Sequence, residues 1–76
     1  MKANRAYELI VTKGNRLDLN RIDHLEILDL DSGEVVLFWD TLRNQTGKLA
    51  RALKRDMAQL EDEQFVAKWR RYEPGA

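Results

Sequence analysis

Val35-Val36-Leu37-Phe38-Trp39 is an unbroken apolar run that follows the turn-forming residues Asp31-Ser32-Gly33. Successive side chains of a strand point to opposite faces, so a half-buried strand alternates apolar with polar residues. This run is apolar on both faces, and the sheet that holds it needs cover on both sides. A chain of 76 residues has few elements to supply that cover. The run therefore predicts that the second sheet face is buried by a terminal helix or against another subunit.

The segments before the run read as strands. In Ala6 to Thr12, Tyr7, Leu9 and Val11 alternate on one face. Lys13-Gly14-Asn15 then supplies residues that tolerate a tight turn. Taken as a three-residue loop, it pairs Val11 with Leu17 and Leu9 with Leu19; a two-residue Gly14-Asn15 loop would set Val11 against Asp18. The second hairpin runs from Asp23–Leu30 to Glu34–Trp39. With Asp31-Ser32-Gly33 as its loop and Gly33 left-handed, Ile27 faces Leu37 and Leu25 faces Trp39. Residues 20–22 either continue the second strand or break it.

Asp40 changes the period. Asp40-Thr41 is a candidate N-cap, since a short oxygen-bearing side chain can accept from free first-turn amides. Leu42, Thr46, Leu49, Ala50, Leu53, Met57 and Leu60 then recur at helical spacing. Residues 61–64 are polar and either end this helix or begin another, with Asp62 a candidate cap for a helix carrying Phe65, Val66, Trp69 and Tyr72. The expected fold is α+β: an antiparallel β-meander of three or four strands, then one long or two shorter C-terminal helices packed on the sheet. It forms one domain over residues 1–76, with 74–76 a frayed tail. The second sheet face carries Leu28, Val36 and Phe38.

Composition narrows the function classes. Without cysteine there is no disulfide, thiolate metal site or cysteine nucleophile. The formal net charge is zero, so no global field draws the chain to nucleic acid or membrane. No apolar run approaches the roughly 18 residues of a membrane span, and Leu9-Ile10-Val11 is too short for a signal-peptide core. The expectation is a cytoplasmic protein without membrane contact.

Charge is nonetheless segregated. Residues 41–60 hold Arg43, Lys48, Arg51, Lys54 and Arg55 against Asp56 alone, and residues 1–40 hold eight acids against five cations. The five cations share one arc of the helix, a face suited to phosphate contact or, more plainly, to solvent. Lys68-Trp69-Arg70-Arg71-Tyr72 interleaves cations with aromatics, which suits a protein interface or base stacking. Its plainer reading puts Trp69 and Tyr72 in the core of an amphipathic helix.

Asp29-x-Asp31 opens like a calcium-binding loop, but Gly33 and Glu34 stand where a ligand and a glycine are needed, so a turn accounts for it better. His24 is the single histidine, no serine sits in a nucleophile context and no glycine-rich loop precedes a helix. No catalytic residue, metal site or cofactor is expected, and the chain does not read as an enzyme. The leading expectation is a protein–protein interaction module, homo-oligomeric or a subunit of a larger assembly, using Leu28, Val36, Phe38, Trp69 and Tyr72. Val36→Asp and Phe38→Asp are the substitutions expected to disrupt assembly. The alternative is a nucleic-acid-binding regulator using the basic helix.

Overall fold

The computed structural model describes residues 1–15 and 17–72; the tail expected at 74–76 lies outside them. Three strands, β1 (Tyr7–Thr12), β2 (Ile22–Asp29) and β3 (Val35–Leu42), form an antiparallel sheet in the order β1-β2-β3. A one-turn helix α1 (Ala3–Ala6) precedes them, and α2 (Arg43–Gln59) and α3 (Asp62–Trp69) follow. This is the expected α+β order, with three strands and two C-terminal helices.

The inward face of the sheet carries Leu25 and Ile27 of β2 and Leu37 and Trp39 of β3. Leu49, Leu53 and Met57 of α2 close over them with Phe65 and Trp69 of α3 and Ala3 of α1. Burying such side chains contributes about 1.5–3 kcal/mol each, the main stabilisation open to a chain without cross-links. The aromatic part is edge-packed: Trp69 meets Trp39 at a centroid distance of 5.9 Å and Tyr72 at 5.1 Å. The last helix thus joins α2 on the inward face.

The first hairpin departs from expectation. β1 bypasses residues 17–20 and pairs with β2, setting Val11 opposite Leu25 and Leu9 opposite Ile27. Leu17 and Leu19 are 93% and 82% exposed. Short polar side chains hold the connection in turns: Asn15 Oδ1 accepts from the Leu17 amide at 3.0 Å and Asp18 Oδ1 from the Asn20 amide at 2.9 Å. β1 still gains apolar partners, but from residues that also reach the core.

Asp23 anchors that connection. Fully buried on β2, it accepts from the Gly14 amide at 2.9 Å and from Thr46 Oγ1 of α2 at 2.6 Å. Arg21 lies against it, Nη2 at 3.3 Å from Oδ2 and Nε at 3.1 Å from Oδ1. A hydroxyl carries one proton; the short contact to the carboxylate claims that of Thr46, so Thr41 donates to Thr46 at 2.8 Å. Gly14 is required here, because a Cβ would stand 2.6 Å from the Ile22 carbonyl oxygen.

The second hairpin has the expected core pairs, Ile27 with Leu37 and Leu25 with Trp39, and Gly33 has φ +75°. Near the turn the ladder shifts by one residue, pairing Leu28 with Val35 and leaving Val36 as a bulge. Asp29 donates its amide to Glu34 at 2.8 Å, so the loop holds four residues rather than three. Asp29 Oδ1 accepts from the Asp31 amide at 2.8 Å, a turn contact.

Asp40 and Thr41 do not cap α2. They stay in β3, opposite His24 and Asp23, and Leu42 is the N-cap. Ladder bonds and the burial of Thr41 outweigh a cap, and the Gln45 side chain accepts from the Leu42 amide at 3.3 Å. The second break falls at Leu60 and Glu61, both extended, where Ala3 donates its amide to the Leu60 carbonyl and Asp62 donates its own to Met1. Glu61 rather than Asp62 is the N-cap of α3, with Gln64 Oε1 accepting from its amide at 3.2 Å.

The Thr46 hydrogen bond, the Gly14 amide and Arg21 hold the Asp23 carboxyl below its ordinary value of 3.8, against the opposing effect of burial. A carboxyl with a depressed folded pKa stabilises the fold above its unfolded pKa and loses that contribution as pH falls through the folded one. Asp23→Asn should therefore lower the urea midpoint at pH 6, and the gap from wild type should narrow below pH 3.8. Urea titrations across that range measure it, and a gap independent of pH would show that the carboxylate charge is not what stabilises.

Candidate surface: the open face of the sheet

With α2 and α3 on one side, the other side of the sheet is uncovered among the described residues. Strand alternation and register place its side chains in rows. Glu8, Leu28 and Val35 form the row nearest the β2–β3 turn, followed by Ile10, Glu26 and Phe38, then Thr12, His24 and Asp40, then Ile22 and Leu42. Phe38 is 52% exposed, Leu42 51%, Val35 46% and Ile22 44%, while Ile10 and Leu28 are half-buried. Leu28 and Val35 adjoin Ile10 and Phe38, and Ile22 with Leu42 lies beyond the Thr12–His24–Asp40 row; apolar side chains gathered on one face mark interaction surfaces more often than scattered ones do.

Besides Thr12 and His24, the polar members of the face are the acids Glu8, Glu26 and Asp40. Asp40 lies 2.5 Å from His24 Nδ1, and the His24 ring stacks on Phe38 at 5.6 Å between centroids. Glu8 and Glu26 have no ion pair among the described residues, and no lysine or arginine stands on the face.

Of the residues singled out in the sequence, Leu28 and Phe38 lie on this face and Val36 does not. Val36 is the bulged residue and packs against the core, and the one-residue shift brings Val35 to the open face. Ile10, Ile22, Val35 and Leu42 were not anticipated. Their signal was strand parity, legible only once the register is known.

Trp69 is a core residue: it is buried, and its indole N–H donates to Asp56 Oδ2 at 3.0 Å. Tyr72 is exposed at the rim of a groove of about 410 Å³ that also involves Lys48, Leu49 and Ala52, and its carbonyl accepts from Trp39 Nε1 at 3.2 Å. The groove thus brings the two aromatic candidates, Trp69 and Tyr72, beside one basic candidate, Lys48, on the helical side of the sheet.

Lys48, Arg51, Lys54 and Arg55 are exposed along the solvent side of α2, across the domain from the open face, and Arg43 is exposed at the start of α2, next to Leu42 at one end of that face. Only Arg55 makes an ion pair among the described residues, with Nε 3.7 Å from Asp56 Oδ1. Asp56 itself is buried, and it accepts from Lys68 Nζ at 2.6 Å as well as from Trp69. Burial opposes ionisation of Asp56, but the Lys68 ammonium, the Trp69 N–H and Arg55 prevail and hold its carboxyl below the ordinary range. The one acid in this stretch of α2 is thus spent on joining α2 to α3, and the outward face stays basic.

Among the described residues no group of three or more His, Asp or Glu side chains is placed to hold a metal ion, and no helix is long and apolar enough to cross a membrane. The placement of Val35 and Val36 has a direct test. Val36→Asp should lose about 2 kcal/mol of stability, because it turns a charge toward the core, while Val35→Asp should stay within about 0.5 kcal/mol of wild type. Urea denaturation of the two variants distinguishes them, and equal losses would contradict the bulge. No protein-family model, curated protein or solved structure matches this chain.

Proposed function

We propose that this chain is a protein–protein interaction module that docks through the open face of its sheet. The observation that carries the reading is the set of exposed apolar residues Ile22, Val35, Phe38 and Leu42 on the sheet face that no helix covers among the described residues. Docking there is driven by removing this surface from water, at about 25 cal/mol per Å² before the costs of association. Phe38 is the natural anchor, since aromatic side chains in the centre of a patch dominate interface energetics. The function in this reading is recognition, and it requires no reacting group.

A second reading rests on a separate observation: the exposed cations of α2, four of them without an ion pair among the described residues. Phosphate contacts from such a face give sequence-independent affinity for nucleic acid that falls steeply with salt.

A photo-crosslinking amino acid tests both readings. Phe38→p-benzoylphenylalanine, irradiated in the producing cell, should give a protein adduct that Val35→Asp in the same chain abolishes, and Lys54→p-benzoylphenylalanine should give none. The mass of the adduct tells a second copy of the chain from a different protein. Nucleic-acid adducts at position 54 with none at position 38 would overturn the docking reading. In that event labelled DNA or RNA should bind with micromolar affinity at low salt, weaken linearly in log salt, and be released by Arg51→Glu with Arg55→Glu.

A further inference from the structure

We propose that the occupant of the open face is a cationic amphipathic α-helix of a protein partner, lying along β2 and β3 with its N-terminus at the Leu28–Val35 end. The inference rests on the docking reading and adds the chemistry and direction of the partner.

The charges on the face select among occupants. Glu26 stands in the second of the four rows, between Ile10 and Phe38, with Glu8 and Asp40 in the rows on either side. A second copy stacked face to face would bring these carboxylates against their own counterparts, which costs energy as the surfaces lose water. Nucleic acid and anionic lipid meet the same repulsion. Lysine or arginine side chains flanking an apolar stripe instead lay their alkyl stems over Ile10 and Phe38 and carry their charge to Glu8 and Glu26.

The dimensions favour a helix. Rows on one face of a strand repeat every two residues, so the Leu28–Val35 and Ile22–Leu42 rows lie about 20 Å apart. A helix of about 14 residues spans that length, and its apolar positions recur each turn at about 5.4 Å. Such a helix would complete on this side the layer that α2 and α3 form on the other.

The ends of the face differ in charge, which sets direction. Asp31 in the turn and Glu34 after it stand beside the Leu28–Val35 row, with Glu8 in the row itself and Arg5 near Asp31, so acids outnumber cations there, whereas Lys13 and Arg43 follow β1 and β3 at the opposite end. The partial positive charge of a helix N-terminus is stabilised by acids and that of the C-terminus, being negative, by cations.

The test uses two peptides of about 18 residues with the same leucine stripe, one flanked by lysines and one by glutamates, titrated into the isotope-labelled full chain and followed by amide NMR shifts. The lysine peptide should shift Ile10, Glu26, Leu28 and Phe38 and bind at least about tenfold tighter than the glutamate peptide. Glu26→Lys, which leaves Glu8 and Asp40 on the face, should remove most of the preference, and Glu26→Gln should reduce it without adding a charge that disturbs folding. A spin label on the N-terminus of the lysine peptide should broaden Leu28 and Val35, and one on its C-terminus Ile22 and Leu42. Equal binding of both peptides at the open face would overturn the cationic partner and leave the docking reading standing. Inverted broadening would overturn the direction. If neither peptide shifts the open face, the helical occupant is refuted; if position 38 also yields no protein adduct, the docking reading falls with it.

Discussion

The buried carboxylate of Asp23 ties together parts of the chain that no local preference would bring into contact. It receives a backbone amide from the loop after β1, a hydroxyl from the first turns of α2 and the guanidinium of Arg21. An ionised carboxylate in the interior costs several kcal/mol unless its lone pairs are met, so these groups are held as a set. Together they fix how far the connection between β1 and β2 extends and where α2 leaves the sheet. Asp56 acts in the same way at the other end, joining α2 to α3 through Lys68 and Trp69. Two buried acids thus fix how α2 sits against the sheet and against α3 around a small core.

These anchors leave the domain two-sided. Bringing α3 back beside α2 closes the core with Phe65 and Trp69 but commits every helix to the inward face. The open face is left with apolar side chains divided by acids, and the solvent side of α2 carries the cations. Zero net charge therefore conceals two surfaces of opposite character. Such a division favours cations at the open face and anions along α2, because like charges repel as surfaces lose water.

Much of the fold was legible because its signals are local. The change from strand to helical period after the Val35–Trp39 run, the turn residues before it, and the stripe of Leu49, Leu53 and Met57 are all read over a few neighbouring residues. The core pairs Ile27–Leu37 and Leu25–Trp39 followed from a glycine that favours positive φ and from apolar residues at matching offsets. The four-residue α1 had no such signal, since its place depends on the distant Leu60 carbonyl. Leu17 and Leu19 misled for the opposite reason: they alternate like strand residues, but Asn15 and Asp18 offer the backbone turns that compete with a ladder.

The amino-acid sequence by itself determined the order of the strands and the two long helices and the inward stripe of each, because periodicity is written along a single segment. Tertiary structure alone decided which residues stand on the uncovered face. A one-residue bulge sends Val36 to the core and Val35 to the surface, and the β1 register set through Gly14 and Asp23 brings Ile10 beside Glu26. Helical spacing already put Trp69 in the core; the structure supplies the Asp56 and Trp39 contacts that hold it there and leaves Tyr72 exposed. Register reverses a side chain's face with each single-residue step, and it is set by contacts between residues far apart in the chain.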